Sequence, residues 1–290
     1  MSAQLMKGLV VAKELREKIK QQAEQLLRER SITPTLNVLL VGDDPASQVY
    51  AESKIKVGSP LGIKVNLTVL PANSGFEQVD ALLQAWRADS EVHGVLIELP
   101  LPAHLNKFEL FRRLSPLKDV DGVHPLNWGY ALAGMEDNAL TPATPRACMA
   151  LLEYYSISLA GKRVTLVGRG ETVGRPMIGL LLKRDATLTI CHSRTLNMAE
   201  HCRGAEVLIA AVGVPSLITK DMLTPGVVVL DAGINPTPDG QGICGDVDPT
   251  AAEIASYLSP VPGGVGSLTT TIIMENLIKA IHLQIAAGRL

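Results

Sequence analysis

Aromatic side chains are scarce in this 290-residue chain: three Phe, two Trp and five Tyr. A stacking platform for single-stranded nucleic acid needs more of them, so that class is set aside. Charge of either sign is not in excess. Lys and Arg number 27 against 29 Asp and Glu, so 27 − 29 = −2, which argues against a dominant surface for nucleic acid or anionic membrane. Cysteine is sparse too. Cys148, Cys191, Cys202 and Cys244 are scattered with no CxxC. Neither a zinc site nor a disulfide framework is expected, and the thiols read as core filler. No apolar run approaches the roughly 20 residues that span a bilayer. Leu9 to Ala12, in the opening MSAQLMKGLVVAKELREKIK, is too short for a signal-peptide core. The expectation is a cytoplasmic protein with reduced thiols and no metal, membrane or nucleic-acid partner.

What the chain does have is 47% hydrophobic and 19% charged residues, the balance of a packed enzyme. Leu15, Ile19, Ala23, Leu26 and Leu27 recur at helical spacing. Leu36 to Val41 reads as a buried strand, and Asp44-Pro45 as a helix start with Asp as N-cap, the helix running to about Val57. Ile63 to Leu70 is a second strand, Ser74 and Glu77 form a capping-box pattern, and His93 to Leu99 is a third strand. After a stretch crowded with Gly, Pro and Asp come a helix from Arg146 to Tyr155 and strands at Arg163 to Val167, Thr187 to Cys191, Val207 to Val212 and Val227 to Leu230. Strands alternating with helices predict two α/β domains with parallel sheets. The expected division is 1–140 and 141–269. A last helix carrying Met274, Leu277, Ile278 and Ile281 returns over 270–290 to complete the first domain.

The strand Arg163 to Val167 runs into Gly168-Arg169-Gly170-Glu171-Thr172-Val173-Gly174 and then a helix. Strand, glycine turn and helix make a Rossmann-like dinucleotide site, in which the backbone approaches a pyrophosphate at a helix N-terminus. The spacing GxGxxxG is one residue longer than the usual fingerprint, and a plain strand-to-helix turn remains the alternative. The next strand ends at Cys191-His192-Ser193-Arg194-Thr195, where an NAD site tends to place Asp or Glu. Ser193, Arg194 and Arg169 suit a 2′-phosphate instead, which favours NADP over NAD. Solvated surface arginines are the competing reading. His124 and His192 lack partners at nucleophile or metal spacing and read as structural or cofactor-adjacent.

Ser47, Tyr50 and Lys54, at i, i+3 and i+7, project from one side of the second helix. A hydroxyl and an amine on one face can bind a substrate and move a proton. Spacing alone favours a surface lysine and a half-buried tyrosine. Glu98 ends the third strand, and Asp119 and Asp121 lie in the loop joining the domains. Ligands of open α/β sheets bind beyond the carboxyl ends of strands, so Glu98 and the helix after Val41 share one candidate crevice. Asp121 can accept hydrogen bonds from an amino-pyrimidine type of group, or cap its loop. Pro260 to Gly266 (PVPGGVG) is a rigid and then permissive loop that would let a ligand meet backbone.

Taken in order, VGDDPASQVYAESK, ELPLP, KDVDGVHPLN, TPATP, VGRGETVGRP, CHSRT, AVGVPSLI, DAGIN, GDV and PVPGGVG resemble the methylenetetrahydrofolate dehydrogenase/methenyltetrahydrofolate cyclohydrolase family over nearly the whole chain. The resemblance implies two steps of one-carbon metabolism. The first is NADP-linked oxidation of 5,10-methylenetetrahydrofolate to the methenyl form. The second is hydrolysis of that product to 10-formyltetrahydrofolate. It implies that Tyr50 and Lys54 bind folate and serve hydrolysis, and that Asp121 binds the pterin. Ser47, Leu99 and Pro262, Gly263 and Gly264 would line the folate. Gly168, Arg169, Gly170, Ser193, Arg194 and Ile234 would contact the cofactor. It also implies a homodimer.

The chain departs from the family pattern at Glu98, where the family usually reads Gln. An ionised Glu98 would favour the ammonium form of Lys54. The expectation is a weakened hydrolase beside a surviving dehydrogenase, unless Glu98 is protonated or points away. Smaller departures are Gly170 for Ser, Ala143 for Cys and Ser267 for Pro. Two rivals stay open. One is a Rossmann dehydrogenase of another small substrate, against which PGGVG and YxxxK speak. The other is a non-catalytic nucleotide-binding paralogue, against which Lys54 and Asp121 speak.

Overall fold

The computed structural model describes residues 3–237 and 239–290. In chain order its strands are β1 (Gln4–Leu5), β2 (Thr35–Val41), β3 (Lys64–Leu70), β4 (Gly94–Ile97), β5 (Arg163–Val167), β6 (Thr187–Cys191), β7 (Val207–Ala210), β8 (Val228–Asp231), β9 (Asn235–Pro236), β10 (Ile243–Cys244) and β11 (Tyr257–Leu258). Its α-helices are α1 (Gly8–Arg30), α2 (Pro45–Gly58), α3 (Phe76–Ala88), α4 (Lys107–Arg113), α5 (Pro125–Leu132), α6 (Ala143–Tyr154), α7 (Gly174–Leu182), α8 (Met198–Arg203) and α9 (Gly266–Ala286). None is long and apolar enough to cross a membrane.

The chain divides into two compact units. One comprises Met1–Lys13, Ala131–Gly134 and Thr144–Thr269, the other Glu14–Tyr130, Met135–Ala143 and Thr270–Leu290. This differs from the boundaries expected from sequence at the amino end. Gln4 and Leu5 pair in parallel with Tyr257 and Leu258, which fastens the first residues to the nucleotide-type sheet instead of the first domain. A two-residue strand carries no periodicity from which to read such a pairing.

The larger sheet is parallel throughout, in the order β1-β11-β8-β7-β5-β6. β6 lies on one side of β5 and β7 on the other, so the chain reverses direction beside β5, the place where such sheets bind ligands. Its core includes Val167, Leu208, Ala210, Val229 and the buried thiols Cys191 and Cys202. All four cysteines are free, and burial pushes the Cys148 thiol up to about 12.

The smaller sheet is parallel, ordered β3-β2-β4, with β2 buried along its whole length. Its core gathers Leu39, Val79, Leu83, Trp86, Val95, Ile97 and Phe111. α9 belongs to this unit from Thr270 on. There Met274, Leu277, Ile278 and Ile281 are all buried, as their spacing predicts. Asn276 Nδ2 donates to the carbonyls of Val120 and Thr141, both at 2.8 Å, so the helix holds the DVDG segment directly.

Local expectations fail in one place. The N-cap of α3 is Gly75 without a side-chain cap, not Ser74. The Ser74 carbonyl instead pairs with His104 Nε2 at 2.9 Å, while its buried hydroxyl finds no partner among the described residues.

Candidate active site and dinucleotide cradle

α2 begins where its sequence says it should. Asp44 accepts the backbone N–H of Ser47 at 2.8 Å and its hydroxyl at 2.7 Å, and Pro45 occupies the first turn. The exposed Asp44 carboxyl is held below its ordinary value by these two bonds. Ser47 Oγ also reaches the Leu99 carbonyl at 3.3 Å, which ties the helix start to the segment after β4. The Ser47 hydroxyl is therefore engaged within the protein. The three residues expected on one face differ in depth: Ser47 and Lys54 are buried, whereas Tyr50 is 52% exposed. Lys54 Nζ donates to the Tyr50 carbonyl at 3.2 Å, not to its phenol.

Lys54 and Glu98 come together. Nζ lies 2.6 Å from Oε1, with both side chains less than a tenth exposed. Oε1 accepts no hydrogen bond of regular geometry, so the contact is charge against charge. Glu98 holds its place because its N–H continues the sheet pattern to the Leu39 carbonyl at 2.8 Å, just beyond the end of β4.

The third member is Asp121, partly buried. Its carboxyl is pushed up to about 7, first by desolvation, then by the Asp119 carboxylate. Lys54 pulls it down and Glu98 raises it, so the three groups share one field. Asp119 plays a different part. It is fully buried and accepts from Val123 N–H at 3.1 Å, His124 N–H at 2.8 Å and Asn127 Nδ2 at 2.8 Å. Asp119 shapes the turn that presents Asp121. His124 Nδ1 accepts the Leu126 N–H at 3.0 Å, a structural use. A cavity of about 720 Å³ elsewhere in the same unit, walled by Arg87, Tyr130, Gln284 and Arg289, touches none of Ser47, Tyr50, Lys54, Glu98 or Asp121.

The cofactor candidates lie in the other unit. Gly168 follows β5 at φ +121°, and a Cβ there would stand 2.0 Å from the Ala211 carbonyl oxygen beyond β7. Only glycine fits that approach. A Cβ on Gly170 would meet open space, so no packing explains that glycine. α7 has no side-chain cap at its N-cap, Val173. Arg175 and Met177 donate their N–H groups to the Gly170 and Val173 carbonyls at 2.9 and 3.0 Å and Pro176 has none, so the first turn offers an anion only the Gly174 N–H among the described residues. Arg169, Ser193 and Arg194 are exposed, and neither guanidinium is engaged by a carboxylate among the described residues. The Arg194 N–H donates to His192 Nδ1 at 3.2 Å, bracing the turn after β6. A turn that only glycine can make at position 168 and two guanidiniums with no carboxylate partner among the described residues fit a dinucleotide phosphate. Pro262, Gly263 and Gly264, expected beside folate, also fall in this unit. There the Gly263 carbonyl accepts the Gly8 N–H at 2.9 Å, so α1 packing is one reason for the glycines.

Sequence reading passed over Asp231 and Asp246. Both are buried, and between them they accept N–H groups from the loops after β7 and β8. DAGIN and GDV entered only as matching segments, because nothing in their spacing announces that they meet.

Comparison with known proteins decides the family. Residues 6–121 match the profile of the tetrahydrofolate dehydrogenase/cyclohydrolase catalytic domain, and residues 142–285 that of its NAD(P)-binding domain. The chain belongs to this tetrahydrofolate dehydrogenase/cyclohydrolase family. Among its relatives, "Bifunctional protein FolD 2" of Desulfitobacterium hafniense is 51% identical, covering 99% of this chain and 100% of that protein. A FolD crystal structure from Campylobacter jejuni superposes with a TM-score of 0.93 at 38% identity, each chain fully covered. The FolD structure from Trypanosoma brucei, complexed with NADP cofactor and inhibitor, has a TM-score of 0.92 at 29% identity, again with full coverage.

Proposed function

We propose that this family member oxidises 5,10-methylenetetrahydrofolate with NADP+ and hydrolyses the methenyl product to 10-formyltetrahydrofolate. The observation that carries the reading is the cluster of Lys54, Glu98 and Asp121, an amine with two carboxyls in one field. Asp121, with a carboxyl near 7, populates both protonation states at neutral pH. Its ionised form accepts hydrogen bonds from the amino and ring N–H groups of a pterin, and Tyr50, four residues before Lys54 on α2, offers an exposed ring. In hydrolysis, water adds to the methenyl carbon and the bond from that carbon to N5 breaks. One proton from the water goes to N5 and the other to solvent. Lys54 is the group suited to accept and return a proton here, since acid–base work needs an amine that can exist free. Bound NADP+ supplies the hydride acceptor for the oxidation. Gly168, Arg169, Gly170, Ser193, Arg194 and Ile234 would hold it, with the guanidiniums toward a 2′-phosphate.

The test is the absorbance of methenyl product on incubation with methylenetetrahydrofolate and either NADP+ or NAD+. Rates at least about tenfold higher with NADP+ are expected, the scale of a charge-assisted contact worth roughly 1.4 kcal/mol. Equal rates would remove the role given to Arg169 and Arg194, and no product with either would remove the dehydrogenase.

One observation favours a narrower reading, a dehydrogenase with curtailed hydrolysis. Glu98 holds a buried carboxyl 2.6 Å from the Lys54 amine, where the family usually has a neutral amide. Glu98→Gln is expected to raise methenyl hydrolysis about tenfold or more and to change the dehydrogenase rate less than about twofold. Unchanged hydrolysis in the variant would sink the narrower reading. The homodimer is likewise a proposal. Among the described residues β6 pairs only with β5, and its Thr187, Thr189 and Ile190 are exposed, so an unpaired edge is available to a second copy. Analytical ultracentrifugation tests it.

A further inference from the structure

Two buried carboxylates outside the Lys54 cluster are used by neither step above. Asp246 is wholly buried and takes four N–H donors. Oδ2 accepts from Val212 at 2.6 Å and Gly213 at 3.1 Å, and Oδ1 from Val214 at 3.0 Å and Asn235 Nδ2 at 2.9 Å. Three successive backbone N–H groups converging on one anion form a nest, and Gly213 at φ +74° supplies its left-handed residue. Nests of this kind commonly hold phosphate; here the protein fills its own.

Asp231 continues the arrangement. Its Oδ1 accepts from Gly233 at 2.9 Å and from Asp246 N–H at 3.0 Å, and its Oδ2 from Val247 at 2.9 Å. Packing interlocks the two. A Cβ on Gly245 would stand 1.8 Å from the Asp231 carboxylate, and one on Gly233 would stand 2.3 Å from that of Asp246. No ion pair reaches either carboxylate among the described residues, so N–H groups alone compensate them. The two loops so joined lie at the carboxyl ends of β7 and β8, where a doubly wound sheet takes its ligand. Ile234 sits between two fastened neighbours, Gly233 bonded to Asp231 and Asn235 bonded to Asp246, and its side chain is left half exposed.

We propose that Asp246, assisted by Asp231, is a positioning residue for the dinucleotide, locking the 212–214 loop and Ile234 into one preformed wall of the cofactor site. The inference rests on the dinucleotide reading above and extends it to residues that would not touch the cofactor. It also sets a ranking. In Asp246→Asn the amide nitrogen must face two donors whichever way it turns, Val212 and Gly213 or Val214 and Asn235. In Asp231→Asn it can be turned to face Val247 alone. The first substitution should therefore do more damage.

The experiment measures NADP+ binding by calorimetry, hydrogen exchange at Val212–Val214 in the cofactor-free protein, and methenyl hydrolysis. For Asp246→Asn the expected results are an NADP+ Kd about tenfold or more weaker, faster exchange at the three amides, and hydrolysis within twofold of wild type. Asp231→Asn should show a smaller change in the same direction. Should Asp246→Asn fail to fold, Asn235→Ala removes one donor and leaves the nest. It should weaken NADP+ binding about threefold with hydrolysis unchanged. An NADP+ Kd within twofold of wild type in the soluble variant overturns the proposal, as does parallel loss of both functions. Failure of the dinucleotide reading looks different: wild-type protein would protect the three amides yet bind no NADP+.

Discussion

Asp121, proposed above to bind the pterin, is a carboxyl whose ionisation costs stability. Its carboxyl, at about 7 in the folded protein, is ordinarily near 3.8. A raised folded value means the native state holds the proton more tightly than the unfolded chain does. Its contribution to stability is therefore full below about 3.8 and is lost as pH rises through about 7. Asp121→Asn removes the cost of the buried charge. The variant should match wild type in urea unfolding near pH 4 and exceed it by a few kcal/mol near pH 8, while folate-dependent activity falls. A stability difference that stays flat across that range would contradict the assignment. Lys54 and Glu98 were legible as residues because one stands on the face and the other at the end of a readable element, whereas Asp121, in a loop, was legible from the DVDG segment of the resemblance. The use of Asp231 and Asp246 was not, since it arises only when two loops fold against each other. The engagement of the Ser47 hydroxyl with Asp44 likewise depends on cap geometry that sequence shows only in outline.

At the scale of elements, the glycine turn between β5 and α7 separates two kinds of glycine. Gly168 has φ +121° and no room for a side-chain carbon against Ala211. Gly168→Ala must shift backbone against backbone, and a loss of about 3 kcal/mol or more in unfolding free energy is expected, with NADP+ binding lost as well. Gly170 has open space around it. Gly170→Ser should stay within about 0.5 kcal/mol of wild-type stability and act only on cofactor affinity, strengthening it if the new hydroxyl reaches phosphate. Thermal unfolding with and without NADP+ distinguishes the two effects, and equal destabilisation by both substitutions would refute the distinction. Strands and helices with clear periods appear close to where the sequence puts them, β5 and β6 at the same residues. The α3 cap does not. Ser74 and Glu77 fit the capping-box pattern, yet the Ser74 carbonyl is held by His104 from 30 residues away, and tertiary contact overrides a local signal.

For the whole molecule, the residues proposed for the two chemistries belong to different compact units. Lys54, Glu98 and Asp121 belong to one, and the glycine turn, Arg194, Ile234, Asp231 and Asp246 to the other. The parallel sheets and the returning last helix were readable from patterning. The fastening of residues 3–13 to the nucleotide-type unit was not, because it rests on the pairing of Gln4 and Leu5 with β11. The division makes the activities separable by substitution. Lys54→Gln should lower methenyl hydrolysis at least about a hundredfold and leave the NADP+ Kd within twofold. It should also destabilise its own unit, because Glu98 is buried with Lys54 as its close partner. An unpaired buried charge of this kind costs about 3–5 kcal/mol. The double substitution Lys54→Gln with Glu98→Gln tests that cause, since removing both charges should return most of the lost stability without restoring hydrolysis. If the double variant unfolds at the same urea concentration as Lys54→Gln alone, the loss comes from packing and the ion pair contributes little.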